Sequence, residues 1–302
     1  MRIVSLVPHA TELLFALDLG DQVVGVTHEC DHPTEALELR HVTRDMLPPG
    51  LSPAEIDVAV RERTQRGEAI YELDEDALHD LEPDLIVTQA LCPVCAVSYD
   101  DVRAVAERLP TRPKVIALDP KTFGETLGDV KTIAQATDAQ AAALLLVAST
   151  TKRIAAVQEA LSGPLERPRV ACLEWLDPVY VAGHWTPQLV EFAGGEDVLG
   201  FPGEQSEQTT WETVAAAEPD VVVVMPCGYD AQQSLEQAHA FAAEIAALGA
   251  QKVVAVNASA YFSRPGPRLV DGVELLAHVL HPDRVPEPPV GAEALVVELV
   301  AL

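Results

Sequence analysis

One short phrase occurs twice in this sequence, once in each half. The first half contains Leu81-Glu82-Pro83-Asp84-Leu85-Ile86-Val87, and the second half contains Ala217-Glu218-Pro219-Asp220-Val221-Val222-Val223. In both, a helical pattern ends at a Pro-Asp turn and an apolar run follows as a buried strand. A chain that repeats one helix–turn–strand unit in each half is predicted to fold into two lobes of like architecture.

Short β-branched runs alternate with helical patterns, which is typical of βαβ units and a mostly parallel sheet. The predicted strands are Arg2–Leu6, Val23–Val26, Leu85–Thr88, Lys114–Leu118, Arg169–Leu173, Val179–Ala182, Val221–Val224 and Val253–Val256. The main predicted helices are Ala10–Ala16, Asp100–Arg108, Pro187–Ala193, Ala231–Leu248 and Arg268–Val279. The predicted fold class is α/β, with two Rossmann-like lobes.

A helix-forming stretch separates the two halves. Residues 123–161 lack proline and are rich in Ala, Leu, Gln, Lys and Glu, which favour helix. From about Ala136 to Leu161 they predict one stiff helix of about 35 to 40 Å that joins the lobes. The expected domains are an N-terminal α/β lobe at 1–133, a connecting helix at 134–163, a C-terminal α/β lobe at 164–285 and a tail at 286–302.

The charge balance restricts the partners of this protein. Lys and Arg number 20 against 47 Asp and Glu, which gives a formal net charge of −27. Nucleic acid and anionic lipid would repel such a chain, so neither is an expected partner. No apolar run approaches the roughly 20 residues that span a bilayer. The start enters a strand without a secretory pattern, and the cysteines are odd in number, so a cytoplasmic protein is expected, or an extracytoplasmic one if the true start lies upstream.

The strand ends indicate where a ligand would bind. In open parallel sheets ligands collect beyond the carboxyl ends of the strands, and although aromatic residues are only 5% of the chain, several fall in these loops. The candidate ligand-binding residues are His9, His28, Cys92, Trp175, His184, Trp185, Tyr229, Tyr261, Phe262 and Arg264. Rigid rings in such loops favour a large, flat, partly apolar ligand.

Cysteines and histidines at two strand ends of the first lobe raise a second possibility. Cys92 and Cys95 form a C-x-x-C pair, and Cys30 lies beside His28. These residues, with His9 or His28, are candidate ligands of Zn or of an iron–sulfur centre in a cytosolic metal-site protein. A role in lining the ligand site remains open for the same cysteines.

Enzyme signatures are absent from the sequence. It contains no G-x-S-x-G elbow, no G-x-x-x-x-G-K phosphate loop and no G-x-G-x-x-G after the first strand. Its one H-E-x-x-H match, His28–His32, follows a predicted strand and does not lie on a predicted helix, as the zinc motif requires. An enzyme acting on a tetrapyrrole would lack an identifiable base and nucleophile here. The prediction is therefore a non-catalytic protein.

Several phrases together resemble a known family. They are Val4–Leu17, Val24–Thr27 followed by Asp31-His32-Pro33, the repeated phrase, Gly194–Leu199, and Arg264–Leu269. Over residues 2–282 the chain resembles the cobalamin-binding proteins of ABC importers, within the group of siderophore, haem and corrinoid receptors.

The resemblance implies a mechanism of transport. Two lobes joined by one long helix would hold a cobalamin-like corrinoid, or a related metal chelate, in a cleft. Asp76 and Glu212 match the acidic residues that dock onto arginines of the importer permease in this family, and Trp185 with Tyr261 or Phe262 match its corrinoid-stacking rings. The cysteine and histidine loops depart from the family pattern. The expected ligands therefore also include a metal chelate with an open coordination position.

Overall fold

The computed structural model describes residues 1–90, 96–288 and 294–297 of the 302-residue chain. The chain forms two compact units. Unit 1 comprises Met1–Pro120 and Glu125–Val147, and unit 2 comprises Lys121–Gly124 and Ala148–Leu302. Each unit has its own sheet and its own hydrophobic core, as expected of a domain.

Unit 1 is built on a parallel sheet. The strands of this unit are β1 (Ile3–Ser5), β2 (Val23–Val26), β3 (Arg40–His41), β4 (Thr43–Asp45), β5 (Tyr71–Leu73), β6 (Leu85–Gln89) and β7 (Lys114–Leu118). The sheet has the order β3-β2-β1-β6-β7, while β4 and β5 form a separate antiparallel pair. Every residue of β1 and β6 is buried, because the central strands of a parallel sheet are covered on both faces.

Helices alternate with the strands of unit 1 along the chain. They are α1 (Pro8–Ala16), α2 (Pro53–Gln65), α3 (Glu75–Leu81), α4 (Tyr99–Arg108), α5 (Phe123–Thr137) and the first part of α6 (Gln140–Ala160). Apolar side chains of α1 and α5, including Leu13, Leu14 and Ile133, pack with those of the strands in one core. α2 starts at Ser52, whose hydroxyl accepts the Glu55 backbone N–H while the Glu55 carboxylate accepts the Ser52 N–H.

Unit 2 has a larger, mixed sheet. Its strands are β8 (Arg169–Leu176), β9 (Val179–Val181), β10 (Glu196–Asp197), β11 (Glu207–Gln208), β12 (Val221–Val224), β13 (Lys252–Val256) and β14 (Ala294–Val296). Their order is β11-β9-β8-β12-β13-β14, with β10 also paired to β8. The β8, β12 and β13 pairings are parallel, whereas β9, β11 and β14 are antiparallel to their neighbours.

One helix predicted for unit 2 is divided into two in the structure. They are α7 (Thr186–Phe192), α8 (Trp211–Ala216), α9 (Ala231–Ala240), α10 (Ala242–Ala247), α11 (Ala258–Tyr261), α12 (Leu269–Leu280) and the rest of α6. The single helix predicted over Ala231–Leu248 is two helices. Phe241 leaves the helical region, with φ −112° and ψ 29°, so α9 ends there and α10 begins after it.

The repeated phrase makes the same contact in both units. The Asp84 carboxylate accepts the backbone N–H of Arg2 at 2.7 Å, and the Asp220 carboxylate accepts the backbone N–H of Arg169 at 2.8 Å. Each aspartate therefore anchors the residue that precedes or opens the first strand of its unit. The turn that ends one helix thus sets the position of a neighbouring strand.

The turn itself also repeats. Glu82 and Glu218, directly before the two prolines, both adopt a left-handed conformation with φ 44°. The arginine side chains close the preceding helix ends: Arg2 donates to the Leu81 carbonyl at 2.6 Å, and Arg169 donates to the Ala217 carbonyl at 2.6 Å. Cations are favourable beside the free carbonyls at a helix C-terminus.

The helix between the two halves starts later than predicted. α5 ends at Thr137 because Asp138 adopts a left-handed conformation with φ 57°, and the Ala139 N–H donates to the Ala134 carbonyl as in a Schellman ending. The predicted range 134–163 therefore holds the end of α5 and then α6, which at 21 residues is about 30 Å long. Among the described residues, no helix is both long and apolar enough to cross a membrane.

A charged cluster fixes the second part of α6 within unit 2. Arg153 donates to both carboxylate oxygens of Glu274, at 2.8 and 2.6 Å, and to Asp271 at 2.5 Å. All three side chains are partly buried. Two-pronged guanidinium–carboxylate pairs of this kind are geometrically specific, so they fix the register of α6 against α12.

Candidate functional site

Three chain segments at the carboxyl ends of β8, β12 and β13 are joined by backbone hydrogen bonds. The Cys227 N–H donates to the Glu174 carbonyl at 3.1 Å, and the Ser259 N–H donates to the Tyr229 carbonyl at 3.0 Å. These three strands are parallel to one another, so their carboxyl ends lie at one edge of the unit 2 sheet. We call three segments the carboxyl-edge loops: 174–177, which is the end of β8 and the start of its turn, 226–230, and 257–264, which includes α11.

Two predicted aromatic residues meet in the carboxyl-edge loops. The rings of Trp175 and Tyr229 lie 5.7 Å apart between centroids at an interplanar angle of 69°, an edge-to-face contact. Both side chains are half-buried. The indole N–H of Trp175 is buried and has no hydrogen-bond partner within the described residues. A buried donor without an acceptor costs about 1 to 3 kcal/mol, so a ligand acceptor here would be stabilising.

Two other predicted aromatic residues lie in the interior of unit 2. Trp185 is 6% exposed and Phe262 is 1% exposed. The Trp185 indole N–H donates to the Phe262 carbonyl at 2.7 Å and so joins the loop before α7 to the loop before α12. The structure therefore gives these two rings a packing role, and their contact with a ligand stays a prediction.

His184 lies in a closely packed turn. Its φ is 53°, its N–H donates to the Glu204 carbonyl at 2.5 Å, and its carbonyl accepts the Gly203 N–H at 2.9 Å. A Cβ on the preceding Gly183 would come within 2.5 Å of the Glu204 carbonyl oxygen, so only glycine fits there. The half-buried His184 ring lies 5.5 Å from the Trp185 ring. A left-handed conformation in a residue other than glycine is held in place by its surroundings.

The last candidates of unit 2 follow β13. Tyr261 is half-buried at the end of α11, with the Arg268 guanidinium 5.9 Å from its ring centroid. Arg264 is half-buried, and its carbonyl accepts the Gly266 N–H at 2.8 Å. The carboxyl-edge loops thus place Trp175 beside Tyr229, while Tyr261 and Arg264 lie in the segment whose Ser259 N–H donates to the Tyr229 carbonyl.

Sequence reasoning missed one titratable group in these loops. Burial raises the pKa of Glu174 to about 7, against the lowering effect of a hydrogen bond to Ser206. Burial likewise raises the pKa of Asp197, whose carboxylate accepts the N–H groups of Leu199 and Gly200. The available signal was a glutamate that continues the apolar run of a strand, Ala171-Cys172-Leu173. A carboxyl group whose pKa is about 7 is partly protonated at neutral pH, so it can donate a hydrogen bond as well as accept one.

The candidates of unit 1 lie at the ends of β1 and β2. His9, in the first turn of α1, is buried, with 3% of its surface exposed. His28 is half-buried, and its Nδ1 lies 2.7 Å from the Thr43 hydroxyl. The Cys30 side chain is buried in the core of unit 1, with Sγ 3.0 Å from the Thr11 hydroxyl.

The described residues give no support to a metal centre. Within 1–90, 96–288 and 294–297, no three His, Cys, Asp or Glu side chains are grouped so that they could hold a metal ion. Cys92 and Cys95, on which the zinc or iron–sulfur alternative depends, lie outside the described residues. Cys30 packs in an apolar core beside a hydroxyl, as a small hydrophobic residue does.

The predicted docking residues occupy equivalent places. Asp76 is the second residue of α3, after the N-cap Asp74, and Glu212 is the second residue of α8, after the N-cap Thr210. Both are exposed. Hydrogen bonds from its own N–H and from the Thr210 hydroxyl lower the pKa of Glu212. Each helix runs into its copy of the repeated phrase.

Comparison with known proteins identifies the fold and the family. The vitamin B12-binding protein of Vibrio cholerae is 24% identical over 300 residues, covering 90% of this chain and 86% of the relative. An uncharacterized ABC transporter substrate-binding lipoprotein of Bacillus subtilis is 25% identical, covering 95% and 82%. The periplasmic haem-binding protein RhuT of Roseiflexus sp. RS-1 matches in structure with a TM-score of 0.69 at 22% identity, over 93% of this chain and 98% of that one.

These findings confirm two predictions and weaken one. The fold class is confirmed, as is the resemblance to solute-binding proteins of the siderophore, haem and corrinoid group. The expected cytoplasmic location finds no support, since the relatives are named as periplasmic proteins or lipoproteins. The model of the periplasmic binding protein family matches residues 3–260. The chain belongs to the periplasmic binding protein family.

Proposed function

We propose that this chain binds a cobalamin-like corrinoid, without catalysis, as the solute-binding component of an ABC-type uptake system. The observation that carries the proposal is the half-buried edge-to-face pair of Trp175 and Tyr229 on a scaffold of this family. The Vibrio cholerae relative named for vitamin B12 supports the choice of a corrinoid.

The chemistry of the carboxyl-edge loops suits such a ligand. A corrin ring is broad, largely apolar on its faces and surrounded by amide side chains. Rings such as Trp175 and Tyr229 contribute burial of large areas at low entropic cost. The Trp175 N–H offers a donor to an amide carbonyl, and the Glu174 carboxyl, with its pKa raised to about 7, offers either a donor or an acceptor.

The first test is a fluorescence titration with cobalamin. The chain has three tryptophans, at 175, 185 and 211, so binding beside Trp175 should quench emission in the wild type. We expect Trp175→Ala and Tyr229→Ala each to weaken binding by roughly ten- to a hundredfold, since one buried ring contributes about 1.5 to 3 kcal/mol.

Two further variants serve as matched controls. Trp175→Phe keeps a ring but removes the indole N–H, so its affinity should lie between those of the wild type and Trp175→Ala. Trp211, which stacks on Phe241 outside the carboxyl-edge loops, should tolerate Trp211→Phe without loss of affinity. Equal affinities for all four variants and the wild type would remove the aromatic pair from the ligand site.

We also propose that Asp76 and Glu212 contact the importer permease. The support is their exposure and their equivalent positions on α3 and α8. Asp76→Lys and Glu212→Lys should leave corrinoid affinity unchanged and reduce transport by a reconstituted importer at least tenfold, since like charges across an interface cost several kcal/mol. Glu236→Lys, at another exposed acid of unit 2, is the control.

The transport role implies a location outside the cytoplasmic membrane. The relatives named as periplasmic proteins or lipoproteins support this part of the proposal. Fractionation of the source cells tests it: the protein should be found in the extracytoplasmic or membrane-anchored fraction. Recovery only from the cytosol would contradict an uptake role while leaving corrinoid binding to be measured separately.

A further inference from the structure

Three polar side chains of unit 1 form a continuous hydrogen-bonded chain at the end of β2. The Thr27 and Thr43 hydroxyl oxygens lie 2.8 Å apart, and the Thr43 hydroxyl lies 2.7 Å from Nδ1 of His28. The backbone N–H of His28 also donates to the Thr43 hydroxyl, at 3.0 Å. Both threonines are buried, at 4% and 8% exposure, and His28 is half-buried.

The donors and acceptors of this chain can be counted. A threonine hydroxyl has one hydrogen to donate and two lone pairs to accept with. One lone pair of Thr43 accepts the His28 N–H, which leaves one lone pair and one hydrogen for Thr27 and His28 Nδ1. Only two arrangements use both contacts.

In the first arrangement both hydroxyl hydrogens of the chain have an acceptor. Thr27 donates to Thr43, and Thr43 donates to Nδ1 of His28. The imidazole then accepts through Nδ1 and, as a neutral ring, carries its proton on Nε2.

The second arrangement leaves one buried hydrogen without an acceptor. If Nδ1 of His28 carried the proton and donated to Thr43, Thr43 would have to donate to Thr27. The Thr27 hydroxyl hydrogen would then have no acceptor among the described residues, because Thr43 is the only side-chain partner that the structure gives Thr27. A buried donor without an acceptor is unfavourable.

We propose that Thr27 and Thr43 fix His28 as a hydrogen-bond donor through Nε2, directed at an oxygen acceptor of the ligand, and not as a metal ligand. A neutral histidine coordinates a metal through a ring nitrogen that carries no proton. This inference rests on the proposed function for its ligand, a corrinoid whose amide carbonyls are acceptors. The ring is positioned further by Tyr71, whose ring centroid lies 5.5 Å away and whose hydroxyl donates to Glu29 at 3.1 Å.

The proton position can be measured directly in the unliganded protein. Long-range proton–nitrogen correlation spectra of the full chain with labelled histidine distinguish the two neutral ring forms, and His28→Gln identifies the His28 signals among the nine histidines. We expect the Nε2–H form to exceed the Nδ1–H form by roughly tenfold or more. A ring protonated on Nδ1 would overturn the inference.

Threonine variants test whether the hydroxyl chain causes the preference. Thr43→Ser keeps the hydroxyl and should keep the Nε2–H form, whereas Thr43→Val removes it and should let the ratio fall to that of histidine in water. An unchanged ratio in folded Thr43→Val would contradict the role of Thr43. The wild-type spectrum remains decisive if Thr43→Val fails to fold.

Ligand binding and metal binding are tested separately. Glutamine places an amide N–H close to the Nε2 position and asparagine does not, so His28→Gln should bind cobalamin within about threefold of wild type and His28→Asn roughly three- to tenfold more weakly. Zn²⁺ alone should leave the His28 signals unchanged, and coordination through Nε2 would overturn the inference. If the wild type binds no corrinoid, the proposed function fails, while the proton position in the free protein still decides this inference.

Discussion

The two units share an anchoring device and differ in the loops that their strands carry. Asp84 in unit 1 and Asp220 in unit 2 hold equivalent strand starts, and Glu82 and Glu218 turn the chain with the same φ of 44°. At the strand ends, unit 1 has an imidazole held by hydroxyls, while unit 2 has the carboxyl-edge loops with their aromatic pair. The repeat therefore specifies the scaffold, and the loops specify the chemistry.

A second comparison lies within unit 2, among the aromatic residues themselves. Trp185 and Phe262 are buried and linked by a hydrogen bond, whereas Trp175 and Tyr229 are half-buried. The same residue type thus serves packing in one loop and remains accessible in another.

The largest effect should come from the buried rings. Trp185→Ala or Phe262→Ala should lower the free energy of unfolding by about 3 to 5 kcal/mol, because each leaves a cavity in the interior of unit 2. Trp175→Ala and Tyr229→Ala should cost clearly less stability. Denaturant unfolding followed by circular dichroism measures all four. Similar losses for the buried and half-buried rings would contradict the division.

The two anchoring aspartates, Asp84 and Asp220, should stabilise the fold by different amounts. Asp220 is half-buried and also accepts a hydrogen bond from the Gln251 side chain at 3.1 Å, whereas Asp84 is exposed. Asp220→Ala should cost about 1 to 3 kcal/mol because it leaves the Arg169 N–H without its acceptor, and Asp84→Ala should cost about 1 kcal/mol or less, because water can replace the carboxylate. Thermal unfolding compares them, and a larger loss for Asp84→Ala would reverse the expected order.

Each unit also has one carboxyl group with a pKa raised to about 7. Burial is the first cause for Glu174 in unit 2 and for Asp129 in unit 1, and the charges of Asp119 and Glu125 add to the effect at Asp129. The folded protein then holds a proton that the unfolded chain has released, so stability falls as pH rises from about 4.5 towards 7. Glu174→Gln and Asp129→Asn should each flatten this decline, by at most roughly 1.4 kcal/mol per pH unit.

Salt dependence should distinguish the two carboxyl groups, because their raised pKa values have different causes. Dissolved ions screen the like charges around Asp129 and reduce its part of the pH dependence, while they have little effect on a shift that comes from burial. When stability is measured from pH 4 to 8 at low and high salt, the effect of salt on the pH slope should be smaller in Asp129→Asn than in the wild type and unchanged in Glu174→Gln. The reverse pattern would mean that the causes of the two shifts have been exchanged.

The smallest effect concerns the repeated turn. Glycine adopts a positive φ without the steric cost of a Cβ, so Glu82→Gly and Glu218→Gly should each raise the free energy of unfolding by up to about 1 kcal/mol. The gains should be alike because both residues have φ 44°. Thermal unfolding again gives the values. A loss of stability in either variant would show that its side chain makes a contact worth more than the strain.

Much of the scaffold could be predicted because periodicity and turn residues are local signals. The strands Val23–Val26, Lys114–Leu118 and Val221–Val224 have the predicted bounds. The break at Asp138 was missed, since only a left-handed conformation, which aspartate tolerates and does not require, ends α5 there. Chain direction and strand order then place Trp175 near Tyr229, as the rule for parallel sheets predicts.

The site could be predicted only in outline. The sequence gives the residue type at a strand end but not how deeply its side chain is buried. It therefore predicts Trp185 and Trp175 alike as ligand-binding residues, although Trp185 is buried and Trp175 is half-buried. The contact of Thr43 with His28 could not be predicted from the sequence either. Thr43 lies 15 residues from His28 and contacts it only because β4 follows β3 beside β2 in the folded unit. Contacts that depend on tertiary packing leave no local pattern.

Corrinoid binding can be measured by calorimetric titration of the unmodified chain with cobalamin, alongside haem, at two temperatures. We expect saturable binding of one cobalamin per chain, with a negative heat-capacity change from burial of apolar surface, and weaker binding of haem. No heat and no co-elution with cobalamin at tens of micromolar ligand, or tighter binding of haem, would contradict this expectation.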